Sequence, residues 1–179
     1  MINNILFLII FIFTIYLIVT IKKKHRNKYS HAWRRSSANK INKKLKSFNK
    51  SGQIFSYLRK VDPFVVEEVI LNSIEYREDI KVIRNKRYTG DNGVDGRFIL
   101  TSNRKEYLYL IQVKRYSKYI NAKDIIKFHE QIKLENAACG LFIHTGKSGK
   151  EVYNKLSNLK NIKLISGQKL IKLLQEGHF

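Results

Sequence analysis

Not one acidic residue precedes Asp62 in this chain of 179. Over the whole chain Lys and Arg number 35 against 14 Asp and Glu, a formal net charge of +21. Such an imbalance draws polyanions, either nucleic acid or the anionic face of a membrane. Cysteine is almost absent too. The single Cys139 excludes an internal disulfide framework and cannot build a cysteine-rich zinc site, which makes a reducing, cytoplasmic setting the default for the folded part.

Charge of either sign is missing from residues 5–21, "ILFLIIFIFTIYLIVTI". As a helix this run spans roughly 25 Å, at the short end of what crosses a bilayer. It lacks the basic flank and small-residue cleavage site of a signal peptide, and Lys22-Lys23-Lys24 follow directly. Every face is apolar, which argues against a core helix. Residues 1–21 are therefore expected to form an uncleaved transmembrane anchor. Residues 22–50 hold 12 Lys/Arg and read as a basic linker. It reads as a flank touching anionic lipid, as an arm binding DNA with Tyr29 and Trp33 available for stacking, or as both. By the positive-inside tendency, the C-terminal side faces the cytoplasm.

From about residue 51 the pattern becomes globular. Asp62 as N-cap and Pro63 at the first helical position open a helix over "DPFVVEEVILNSIEY". A strand "IKVIRNKRY" follows, then a Gly/Asp/Asn turn and strands Val94–Thr101 and Tyr107–Arg115 joined at "SNRKE". A helix around "AKDIIKFHEQIKLEN", a buried strand "CGLFIHT" and a helix "SGKEVYNKLSN" come next, the last with Ser148 and Glu151 spaced as a capping box. "NIKLIS" and "QKLIKLLQE" close the chain. The order αβββαβαβα predicts an α/β domain whose central sheet is covered by helices.

The two middle strands are apolar enough to be buried, yet they carry Asp95, Gln112 and Lys114. An unpaired buried charge costs several kcal/mol, and a bare amide about 1–3. Gln112 and Lys114, two apart on a strand, share a face. With a turn centred on Arg104-Lys105, Asp95 lies opposite Lys114 and Gln112 is one pair along; a one-residue slip sends Asp95 to the other face. A carboxylate and an amide oxygen suit a hard cation such as Mg²⁺, which polarises a phosphodiester and activates water. The lysine orients that water or stabilises charge on phosphorus. Glu67 shares a helical stripe with Ile70, Leu71 and Ile74 and is expected to face inward, whereas Glu68 aligns with Asn72 and Glu75 on the wet side. Taken singly, each polar residue reads as structural; together they read as a site.

The segments "VEEVI", "GDNGVD", "LIQVKRY", "GLFIHTG" and "IKLISGQKLIKLL", in this order, resemble the Mrr-like restriction endonucleases of the PD-(D/E)XK nuclease superfamily. The likeness covers roughly residues 62–175. The Mrr branch carries Gln-x-Lys where other branches carry Glu-x-Lys. The resemblance implies a restriction-endonuclease-like three-layer domain with a central mixed β-sheet over residues 51–179. It implies Asp95, Gln112 and Lys114 as the catalytic trio, with Glu67 as the helix acid. Asp95 and Gln112 would be the metal ligands, for Mg²⁺ with Mn²⁺ able to substitute. The expected activity is hydrolysis of DNA phosphodiester bonds, in restriction of foreign or modified DNA. Mrr proteins commonly add a DNA-reading domain; here the apolar run and basic linker take that place, so substrate choice stays open.

Double-strand cleavage by a single-site domain needs two copies, which points to a homodimer. "TGKSGK" looks like the end of a P-loop, but Gly140 stands one residue too far from Gly146, so no nucleotide cofactor is expected. Asp91 reads as a turn residue and His144 as a structural histidine. The alternative from another class is a non-cleaving DNA-binding or tethering membrane protein that keeps the fold.

Overall fold

The computed structural model describes the backbone of residues 2–85 and 93–179, and the side chains of these except 2–9 and 22–30. The expected turn residues Asp91 and Asn92, and the end of the expected strand at 86–88, lie outside the described residues. The chain divides into two compact units, residues 1–36 and 37–179.

Helix α1 runs over Ile2–Leu45. In the first unit its apolar side chains from Ile10 to Ile21 are exposed. The hydroxyls of Thr14 and Thr20 donate to the Phe11 and Leu17 carbonyls, each at 2.8 Å. Among the described residues no helix is long and apolar enough to cross a membrane. The apolar run of the expected anchor starts at residue 5, and the side chains of the run's first five residues lie outside the described set.

In the second unit the expected basic linker is helical as far as Leu45 and contributes to the core. Ala38, Ile41, Asn42 and Leu45 are all buried. Their spacing of three, four and seven puts them on one helical stripe despite the surrounding lysines. A short helix α2, Ser51–Leu58, follows. Helix α3, Pro63–Ile74, starts as expected: the Asp62 carboxylate accepts from the amides of Phe64 and Val65 at 3.0 and 3.2 Å. Asn42 Nδ2 donates to the Val69 carbonyl and Ser73 Oγ, tying α1 to α3.

Strands β1 (Ile80–Arg84), β2 (Gly96–Ser102) and β3 (Lys105–Lys114) form an antiparallel meander. Helix α4 (Ala122–Leu134) leads to β4 (Cys139–His144), and α5 (Lys150–Ser157) leads to β5 (Ile162–Ile165). Both of these strands join in parallel, so the sheet is mixed, in the order β1-β2-β3-β4-β5. Helix α6, Gly167–Glu176, closes the chain. From Pro63 onward the order αβββαβαβα is the one expected. The C-terminal part of α1, with α2, α3 and α6, shares a core with Phe98, Ile111, Leu141 and Ile143 on one sheet face. Helices α4 and α5 share a second core with Val94, Leu110 and Phe142 on the other. The domain has three layers.

Two local expectations are corrected. The β2–β3 hairpin turns on Asn103-Arg104, with φ of 50° and 61°, and pairs Ser102 with Lys105. The two-residue loop with positive φ at both positions matches the strand twist, and Asn tolerates that conformation. Pairing is therefore shifted by two residues from the expected register, which preserves the face of the side chains paired between β2 and β3. The capping box also fails: Gly149 is the N-cap of α5, without a side-chain cap bond, and Ser148 Oγ lies 3.0 Å from His144 Nε2.

Candidate active site

Antiparallel pairing of β2 with β3 ends at Gly96↔Ile111. One residue earlier, the Asp95 amide also addresses Ile111, donating to its carbonyl at 2.8 Å. Asp95 and Gly96 thus face one partner, the arrangement of a β-bulge. Packing shows the consequence. Val94 is buried in the α4 core, whereas a Cβ on Gly96 would lie 2.6 Å from Leu71 of α3. Residues two apart in a regular strand share a face, so the chain changes sides at Asp95. The Asp95 Oδ2 accepts from the Val113 amide at 2.6 Å. Strand N–H groups lie in the sheet, so this carboxylate sits at the sheet's end and not above either face.

On β3, Ile111 belongs to the α3-side core and Leu110 to the α4-side core. Gln112 and Lys114 therefore point to the α4 side, with Phe142 and His144 beside them as parallel partners. Gln112 is 4% exposed. Its Nε2 donates to the Gly93 carbonyl at 2.6 Å, which fixes the amide orientation. Its Oε1 is buried and has no partner among the described residues. Gly93, at φ 82°, lies so close that a Cβ there would meet Gln112 Nε2; only glycine satisfies both demands. Lys114 is half-buried. The next residue anchors the strand end, because Arg115 donates to the carbonyls of Arg59 and Val61 at 2.5 and 2.7 Å.

The structure thus gathers Asp95, Gln112 and Lys114 at one end of β3. It does not bring Glu67 onto the face of Gln112 and Lys114, because α3 covers the opposite face. Glu67 is half-buried there, one turn before the Leu71 that packs on Gly96. Its neighbour corrects the expected helix faces. Glu68 is buried, at 2% exposure, and pairs with Arg84 Nε at 3.0 Å. The same guanidinium reaches Asn72 at 2.8 Å and Glu75 at 2.6 Å. The stripe 68–72–75 was legible; that Arg84 of β1 would fold over it was not.

A divalent cation suits this donor set. A carboxylate oxygen and a buried amide oxygen without a partner among the described residues are hard ligands, and Mg²⁺ typically takes one or two carboxylates and keeps waters. Among the described residues no group of three or more His, Cys, Asp or Glu offers an alternative centre.

His144, the parallel partner of Lys114, is fully buried, and burial pushes its pKa down to about 4. It is therefore neutral at physiological pH and adds no second cation beside the lysine. In the unfolded chain this histidine titrates near its usual 6.5. Between pH 6.5 and 4 the unfolded state thus binds more protons, and stability falls as pH falls through that window. The contribution lost is on the order of 3 kcal/mol. Urea midpoints at pH 7 and pH 5 are expected to differ less in His144→Gln than in the parent.

Residues 58–174 match the family Mrr_cat, described as restriction endonuclease. No curated protein matches the chain. Among solved structures, the restriction endonuclease MspJI in complex with a 27-mer oligonucleotide superposes with a TM-score of 0.52 at 17% identity, over 76% of this chain and 34% of that one. This likeness shows a shared fold. The DNA modification-dependent restriction endonuclease AspBHI matches at a TM-score of 0.38 and 15% identity, over 68% of this chain and 38% of its own. The chain thus spans little more than a third of the length of these structures.

Proposed function

The chain belongs to the Mrr_cat restriction endonuclease family, and on that footing we propose that it is a metal-dependent DNA endonuclease held at a membrane by its N-terminal helix. The observation that carries the catalytic reading is the buried Oε1 of Gln112, without a partner among the described residues, at the strand end that also holds the Asp95 carboxylate. A buried acceptor left bare costs about 1–3 kcal/mol, and a bound cation with its waters removes that cost.

Asp95 and Gln112 would hold Mg²⁺, with Mn²⁺ able to replace it, and Glu67 would act as a further acid from the α3 side. When bound, the cation polarises the scissile phosphate and lowers the pKa of water. The chain's own part is positional and electrostatic. The Val113 amide holds the Asp95 carboxylate, and the Gly93 carbonyl takes the Gln112 Nε2, which leaves the amide oxygen as the end that would accept or ligate. The Lys114 ammonium donates to the attacking water or to a phosphate oxygen as the new P–O bond forms and the ester P–O bond breaks. Lys and Arg of the domain, and the basic residues of α1, grip the DNA through its phosphates. Two copies acting together would cut both strands, in restriction of foreign or modified DNA.

The membrane reading rests on the exposed apolar surface from Ile10 to Ile21, whose threonine hydroxyls are bonded to their own helix. The charge bias after it supports a cytoplasmic side for the nuclease domain by the positive-inside tendency. In the test, the detergent-solubilised full chain is incubated with plasmid, with Mg²⁺, Mn²⁺ or EDTA. Nicking with either metal and none in EDTA is expected. Salt-sensitive DNA binding without cleavage under any metal would instead identify a tethering protein that keeps the fold.

A further inference from the structure

We infer that Asn85, Arg97 and Glu135 form a positioning relay that holds the backbone on which Asp95 is carried. This inference rests on the reading of Asp95 as a metal ligand.

Ladder pairing of β1 with β2 ends at Arg84↔Gly96, and pairing of β2 with β3 ends at Gly96↔Ile111. The Val94 carbonyl, just before Asp95, therefore lies beyond the last backbone partner on either side. Val94 is fully buried, and an unsatisfied carbonyl there would carry a desolvation cost. Asn85, the first residue after β1, supplies the missing donor from its side chain: Nδ2 donates to the Val94 carbonyl at 2.5 Å. One ladder bond is thus replaced by a side-chain bond at the point where the chain bulges.

The replacement works only if the amide cannot turn over. Arg97 Nη1 donates to Asn85 Oδ1 at 2.7 Å, which fixes which end of the amide faces Val94. Arg97 is itself held in a two-pronged pair with Glu135 at the C-terminal end of α4, Nε to Oε2 at 2.6 Å and Nη2 to Oε1 at 2.5 Å. The planar fork matches a carboxylate and still leaves a donor for Asn85. The Asn85 amide gives to a carbonyl from one end and accepts from a guanidinium at the other.

Asp95 is then pinned from three directions: its preceding carbonyl by Asn85, its amide by Ile111 and its carboxylate by Val113. Groups one step removed from a metal typically change metal affinity about 10–100-fold when altered. The relay residues come from β1, β2 and α4, so the site's acid is referenced to three elements and not to its own loop.

The test measures Mn²⁺ affinity of the detergent-solubilised full chain by calorimetry, beside melting temperature and DNA binding in EDTA. Asn85→Asp is nearly isosteric and keeps the Arg97 bond, but sets an acceptor against the Val94 carbonyl. It is expected to weaken Mn²⁺ binding about 10–100-fold without changing metal-free DNA affinity. Arg97→Lys keeps the charge opposite Glu135 but gives up the fork, and is expected to weaken Mn²⁺ binding in the same direction by a smaller factor. Unchanged Mn²⁺ affinity in both variants, while Asp95→Ala loses it, would overturn the relay and leave the site standing. Mn²⁺ affinity retained in Asp95→Ala would overturn the site reading, and the relay with it.

Discussion

Asp95→Ala is expected to abolish DNA cleavage, and Lys114→Ala to lower it by about 10²–10³ or more, while both variants keep the parent's cooperative unfolding. The second magnitude follows from what a single positioned donor to developing charge is worth, about 2.7–4 kcal/mol. For Asp95 the loss is larger, because the substitution removes the one ionised ligand proposed at the β3 end. Fold is spared in both for a physical reason. The Asp95 carboxylate accepts from the Val113 amide at the end of a pairing that has already stopped, outside both hydrophobic cores. Lys114 is half-buried and closes its strand. Neither substitution opens a cavity in either core. Gln112→Glu is the informative companion, since it supplies a second carboxylate but loses the donor to Gly93. Some activity is expected to survive, with Gly93 less firmly held. Plasmid nicking with Mn²⁺, beside urea unfolding, checks all three. Parent-level cleavage by the Asp95 and Lys114 variants would make the trio structural.

Much of this site was legible in the sequence, for reasons that its residues make plain. Gln112 and Lys114 had to share a face because strand side chains alternate, whatever the register. The helix start at Asp62-Pro63 was legible because the capping chemistry is local. The hairpin register was missed by two residues. "SNRKE" contains no glycine, and Arg104 at φ 61° carries no local signal of its conformation. That error did little damage, since a shift of two preserves faces. The side change at Asp95 was not legible at all. It depends on a bulge, which appears only when Val94 is seen in one core and Gly96 against the helix covering the other.

What the sequence concealed most was tertiary pairing between distant charges. Arg84 gathers Glu68, Asn72 and Glu75 into a seam that a helical projection assigns to solvent. Arg97 links Asn85 to Glu135 across 50 residues of chain. Nothing in composition or spacing distinguishes these residues from ordinary solvated charges. Burial does, because a half-buried guanidinium needs acceptors that only the folded sheet brings within reach.

A fragment starting at residue 51 is expected to be markedly less stable than one starting at 37. The basic, Asn/Ser-rich composition of 22–50 suggests a tether, yet its last turns complete the core on the α3 side. Leu45 and Ala38 are fully buried, and Ile41 is 9% exposed. Fully burying a Leu or Ile side chain contributes about 1.5–3 kcal/mol. Removing Ile41 and Leu45 therefore costs about 3–6 kcal/mol, before the apolar surface they cover is counted. Asn42 adds hydrogen bonds to the Val69 carbonyl and Ser73 Oγ, and Asn39 accepts from Asn72 at 2.8 Å. Phe48 packs edge-on against Tyr57 with ring centroids 5.5 Å apart, and that contact goes too. Against a total of about 5–15 kcal/mol for a typical domain, the loss brings the shorter fragment close to unfolding. Urea denaturation of residues 37–179 and 51–179 measures it directly: a much lower midpoint, or no cooperative transition, is expected for the shorter. Equal midpoints would return residues 37–50 to the role of a tether.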